Sequence, residues 1–236
     1  LYEKKIKKLM NKIRSDPYFF CKVFFLRILY PKFFLLPSKH LYAIHLLLNF
    51  NSLSLKYNFK PFLIGGSLLG AVRQETFAGR PTDIDVGILK KDKKKLFNLL
   101  LNFNKIFKPY EMRVIKPSQC KRIQLIFHNL LFDVGIYKLS KINGKKCWTN
   151  DHDENFDYFA YNKSIKNINI IKKNFSKIKK IRKLKKIHIN KKELENLSKV
   201  KLYGRSFFAP SNPESYLSKK YGNNWKIPLT KQFHWR

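Results

Sequence analysis

Acidic residues are scarce in this sequence: 15 Asp and Glu stand against 50 Lys and Arg in 236 residues, a formal net charge of +35. Such a charge attracts polyanions, so anionic lipid, nucleotide-linked substrates and acidic glycans stay open as partners. Lysine is nevertheless spread over the whole length with abundant Asn, Ile and Phe, the composition an AT-rich genome produces, and the larger share of the charge is assigned to that bias. Cysteine is scarce as well. Cys21, Cys120 and Cys147 lie far apart without a CxxC pair, which argues against a zinc site or a disulfide framework and fits a reducing compartment. There is also no apolar run of the roughly 18 to 20 residues that a membrane span requires. The nearest approach, Tyr18 to Leu36, is broken by Lys22, Arg27, Pro31 and Lys32. Its bulk and interspersed cations suit either an interfacial helix on an anionic bilayer or a basic helix packed on a catalytic domain. The expected location is cytoplasmic and peripheral on the membrane. Because the chain starts at Leu1, a Golgi or ER lumenal location is kept for the case of a truncated N-terminus.

What is present is enough for a core, since 44% of residues are hydrophobic and 15% aromatic. Residues 1 to 40 form a basic segment that ends at Pro37 and Ser38, and residues 41 to 236 are expected to form one catalytic domain. Apolar residues at helical spacing predict a helix over Leu41 to Tyr57. Phe59 to Ile64 predicts a strand, Ile84 to Leu89 a second, Lys91 to Phe103 a helix, and Arg122 to Tyr137 a hairpin around His128 and Asn129. Residues 151 to 201, with the lysine run Lys172 to Lys192, look like an insertion whose charge is a solvated face more readily than a polyanion patch.

The chemistry concentrates between Phe62 and Leu89. Gly65, Gly66 and Ser67 follow a strand and open a helix, where backbone amides, a hydroxyl and the positive helix end together suit a phosphate. Asp83 and Asp85 are two apart in an apolar strand, so both carboxylates leave one face, an unfavourable arrangement without a cation between them. Mg2+ or Mn2+ would satisfy it. Asp133, an acid in the apolar run Leu130 to Tyr137, is the expected third carboxylate, as ligand or as base toward a hydroxyl. Asp151, Asp153, Glu154 and Asp157 are expected on a polar surface loop.

Residues 62 to 89 resemble the signature of the LicD/fukutin family, a Gly-Gly-[ST]-Leu-Leu-Gly-x-x-Arg segment before an Asp-x-Asp strand, with Arg73 on the family's arginine. The run Tyr221-Gly222-x-x-Trp225-Lys226-Ile227-Pro228, preceded by Glu214, Tyr216 and Leu217 and followed by Trp235, resembles its closing motif. Tyr221 and Trp225 are therefore candidates for the substrate wall, although Trp225 serves a core equally well. The resemblance implies an α+β nucleotidyltransferase fold, a mixed sheet flanked by helices. It also implies metal-dependent transfer of phosphocholine or an alditol phosphate from a CDP-linked donor to a glycan or lipid-linked glycan hydroxyl. Ala78-Gly79-Arg80-Pro81-Thr82 departs from the family's Ile-Pro-aromatic step, and Gln74 from the histidine common in bacterial members. The run Gly79 to Asp85 also resembles tRNA nucleotidyltransferases, but Leu68-Leu69-Gly70 does not suit them and the chain is short for their RNA-binding helices, so nucleic acid is not the expected partner. A non-catalytic polyanion binder on the same fold is the third reading.

Overall fold

The computed structural model describes residue 28 and residues 38–79, 83–107, 111–115, 122–127, 130–154 and 186–228. Tyr18 to Leu36 apart from Ile28, the lysine run up to residue 185, and Trp235 lie outside the described residues. Helix α1 (Ser38–Lys56) begins at the serine that follows Pro37. Strand β1 is short (Phe62–Leu63) and runs into α2 (Gly65–Gln74). Strand β2 (Asp83–Leu89), a single 3-10 turn (Lys90–Asp92) and α3 (Lys93–Phe107) follow. Next come β3 (Glu111–Ile115), β4 (Arg122–Phe127) and the long β5 (Leu130–Ile142). The chain continues through β6 (Lys145–Glu154), β7 (Lys186–Asn190), α4 (Lys191–Glu195), β8 (Ser198–Leu202), β9 (Arg205–Ala209) and α5 (Pro213–Tyr221).

The strands make a curled mixed sheet in the order β3-β4-β5-β2-β1-β9-β8, with β6 on the far half of β5 and β7 on β6. Strands β2 and β5 are parallel, as are β1 and β9. Side chains alternate along a strand, so register fixes the faces. One face carries Ile84, Val86 and Ile88 of β2, Phe132, Val134 and Ile136 of β5, and Ile123, Leu125 and Phe127 of β4, all buried. Helices α1 and α3 cover it. Phe50 of α1 meets Phe132 at 4.9 Å and Phe103 of α3 at 5.6 Å between ring centroids, and Phe103 in turn meets Phe127 at 5.9 Å. Each such pair adds about 0.5–1.5 kcal/mol beyond the area it buries, so this cluster clamps both helices to the sheet.

The opposite face carries Asp83, Asp85 and Gly87 of β2, Asp133 and Gly135 of β5, and Arg122 and Gln124 of β4. Helix α2 packs beside β2 on this side, and α5 packs on α2. The fold is α+β, as the sequence predicts, and the hairpin around residues 128 and 129 is β4–β5. Two stretches differ from expectation. Asp151, Asp153 and Glu154 continue strand β6 instead of forming a loop. The cause is the tight turn Asn143-Gly144, both at positive φ (48° and 76°), which folds β6 back on β5 and carries polar residues into the ladder. Residues 186–202, grouped by composition with the lysine-rich stretch, supply β7, α4 and β8, with Ile187, Ile189, Leu194 and Leu202 buried. Among the described residues no helix is long and apolar enough to cross a membrane.

Candidate active site

Asp85 is the centre of the polar face. Its backbone N–H donates to Ser67 Oγ at 2.9 Å, while its Oδ2 accepts from the Gly66 N–H at 2.8 Å. The Gly65 N–H donates to Tyr216 Oη at 3.3 Å. The approach of α2 to β2 is possible only because residue 65 is glycine. Its φ is +54°, and a Cβ there would lie 2.5 Å from Asp85 Oδ2. The Gly-Gly-Ser turn was expected to offer donors to a phosphate, and here its groups meet protein partners. Ser67 is 1% exposed, and the turn's groups are spent on Asp85 and Tyr216 because the adjoining strand brings the carboxylate within their reach. The turn therefore orients a carboxylate.

Asp133 lies directly across from Asp85 on the adjacent parallel strand, and Asp83 precedes Asp85 on the same face, so the three predicted acids share one side of the sheet. Asp133 is buried and bound by Arg122, whose Nε donates to Oδ1 at 3.0 Å and whose Nη2 donates to Oδ2. Arg122 sits on β4 opposite Gly135, two residues along from Asp133, so its side chain emerges on the same face. Burial, then the neighbouring Asp83 charge, pushes the Asp85 carboxyl up to about 7, while Lys220, the Gly66 amide and Arg122 pull it back. Burial likewise pulls the Arg122 guanidinium down, and Asp85 and Asp83 oppose that. Among the described residues no group of three His, Cys, Asp or Glu side chains is disposed to hold a metal ion.

Comparison with known families matches residues 58–212, about two thirds of the chain, to the domain described as LicD/FKTN/FKRP, nucleotidyltransferase domain. The chain belongs to the LicD/FKTN/FKRP family. The matched domain has a nucleotidyltransferase fold. No curated protein matches this LicD/FKTN/FKRP chain. Among solved structures it is similar to the antibiotic-resistance factor ANT(2'')-Ia in solution, at 11% identity and a TM-score of 0.36, over 49% of this chain and 57% of that one. The chain therefore spans little more than half the length of that relative, and the likeness is too slight to carry an argument.

In this LicD/FKTN/FKRP domain Arg73 stands in the last turn of α2, seven residues from Gly66. That places it about 10 Å along the helix axis and on the same helix side. Its Nε and Nη2 both lie 3.4 Å from Gln74 Oε1, and Tyr221 of α5 acts on its charge. Tyr221 is half-buried against the core at the end of α5. Trp225 is 6% exposed and folds back on α5, its Nε1–H donating to Ser218 Oγ at 3.1 Å while Lys226 Nζ lies 5.3 Å from its ring centre. The core alternative for Trp225 is the one its geometry supports. Sequence reasoning missed Arg122 and Lys220, two of fifty cations. For Arg122 a signal existed: the alternation Arg-Ile-Gln-Leu-Ile-Phe places residues 122 and 124 on one face of a strand paired with that of Asp133.

Proposed function

We propose that this transferase moves a phosphate-linked group, phosphocholine or an alditol phosphate, from a CDP-linked donor to a sugar hydroxyl of a glycan or lipid-linked glycan, releasing CMP. The observation that carries the proposal is the pairing of Asp85 with Asp133 across two parallel strands, with Asp83 on the same face. Family membership supplies the reaction class. By its chemistry the donor set suits a hard divalent cation, Mg2+ or Mn2+, because it is all carboxylate. Asp83 and Asp85 would hold the cation, with Asp133 completing the set once its oxygens leave Arg122. When bound, the cation would neutralise charge on the phosphate oxygens and make CMP a competent leaving group.

The chain's own residues do the rest. The Gly66 amide donates to the Asp85 carboxylate and the Ser67 hydroxyl accepts from the Asp85 backbone N–H, so that the carboxylate is oriented before substrate arrives. Asp133 accepts the proton of the attacking sugar hydroxyl. Arg73, two helical turns from the cradle, and Tyr221, whose charge it feels, contact the far part of the donor. The P–O bond to CMP breaks as the sugar oxygen bonds to the phosphorus of the transferred group, giving a phosphodiester. The test is a panel of CDP-linked donors with an acceptor glycan, CMP release being followed with and without EDTA. Chelation should stop the release, and mass spectrometry of the acceptor should show a gain equal to choline or alditol phosphate. An added nucleotide with released pyrophosphate would instead place the chain among nucleotide-adding enzymes.

A further inference from the structure

We propose that Arg122 is an internal counter-ion that holds Asp133 in the unloaded protein and competes with the divalent cation for it. The inference rests on the carboxylate reading above. Three observations support it. Arg122 grips both oxygens of Asp133 through a forked guanidinium, the bidentate geometry in which an arginine binds a carboxylate most strongly. Its charge also acts on Asp85 and Asp83, with Lys220 the other cation acting on Asp85, so the cation that binds Asp133 is felt across the acidic face. Finally, its side chain is 25% exposed where that of Asp133 is 5% exposed, so the guanidinium stands on the solvent side of the carboxylate it covers.

Three carboxylates converging on one side of a sheet repel one another unless a cation lies among them. The sequence supplies that cation two residues along in register, on the strand next to Asp133. Loading with Mg2+ or Mn2+ then exchanges one cation for another at Asp133. The guanidinium swings off the carboxylate, and the face never carries its full negative charge unopposed. A residue that merely braced Asp133 for coordination would help the metal bind. A competitor hinders it, and the two roles predict opposite signs.

The experiment titrates Mn2+ into the wild-type chain, Arg122→Gln and Arg122→Lys, with free Mn2+ read by electron paramagnetic resonance. Removing the competitor should tighten Mn2+ binding about tenfold in Arg122→Gln, the worth of one charge-assisted hydrogen bond, with a smaller gain in Arg122→Lys. Unchanged or weaker binding by Arg122→Gln, with wild type binding normally, overturns the proposal and leaves the carboxylate reading standing. If no protein binds Mn2+, both fall. Should Arg122→Gln not fold, the wild type decides alone. Diamagnetic Mg2+ should move the Arg122 Nε–H resonance, assigned by its absence in Arg122→Lys, from an ion-paired position toward that of a solvated guanidinium. A resonance that stays put while Mg2+ binds elsewhere on the spectrum rejects the exchange.

Discussion

Asp85 couples folding to pH with a definite sign. Its carboxyl is raised to about 7 in the folded protein from an ordinary value of 3.8, so between those limits the folded state binds more protons than the unfolded one. Stability contributed by the neutral carboxyl is complete below the unfolded value and is lost as pH rises through 7. In metal-free buffer Asp85→Asn should therefore match wild type near pH 4 and become progressively more stable than it toward pH 7.5, as thermal melts across that window would show. The same variant should lose turnover, because the amide cannot replace a carboxylate, and Asp83→Asn should behave alike. Strong destabilisation by either change would assign the pair a structural role. Gly65 predicts the opposite pattern. Alanine at φ +54° costs about 1–2 kcal/mol in backbone strain alone. Its methyl would also strike the Asp85 carboxylate, so Gly65→Ala should lower both the melting temperature and turnover.

At the scale of elements, the terminal strand and helix are structural members of the site. Strand β9 lies between β1 and β8, and α5 carries the fully buried Tyr216 whose hydroxyl accepts from Gly65. Truncation after Gly204 should abolish cooperative thermal unfolding together with activity, and a truncated chain that melts cooperatively would contradict this account. Which elements were legible follows from their physics. Helix α1 and strand β2 announce themselves because their runs are densely apolar and mostly buried. Strand β8 does not. Its burial is alternate and its outward residues are Lys199 and Lys201, so composition groups it with the lysine-rich stretch. The Asn143-Gly144 turn was a usable hairpin signal for β6. The three acids were legible because carboxylates in apolar runs are rare here. Their cation was not, since its partner depends on a register that no local pattern prints.

Across the whole molecule the charge of +35 sets how the chain meets anionic surfaces. Vesicles containing anionic lipid should bind it with an affinity that falls steeply as salt rises, because exposed charges are screened beyond about 10 Å at 0.1 M salt. Deleting residues 1–37 should weaken that binding and spare turnover on soluble acceptors, measured by vesicle sedimentation and CMP release. Unchanged sedimentation after the deletion would move the membrane contact elsewhere. The parallel pairing of Phe62 with Phe208 has a consequence for how the protein is made. Synthesis adds about 5–20 residues per second, so the ribosome releases β1 and the glycine turn many seconds before the strand that flanks them exists. The nascent chain spends that interval with its first apolar strand edge uncovered. A chaperone bound at that edge, and handed off when β9 emerges, would protect the molecule at its most vulnerable moment.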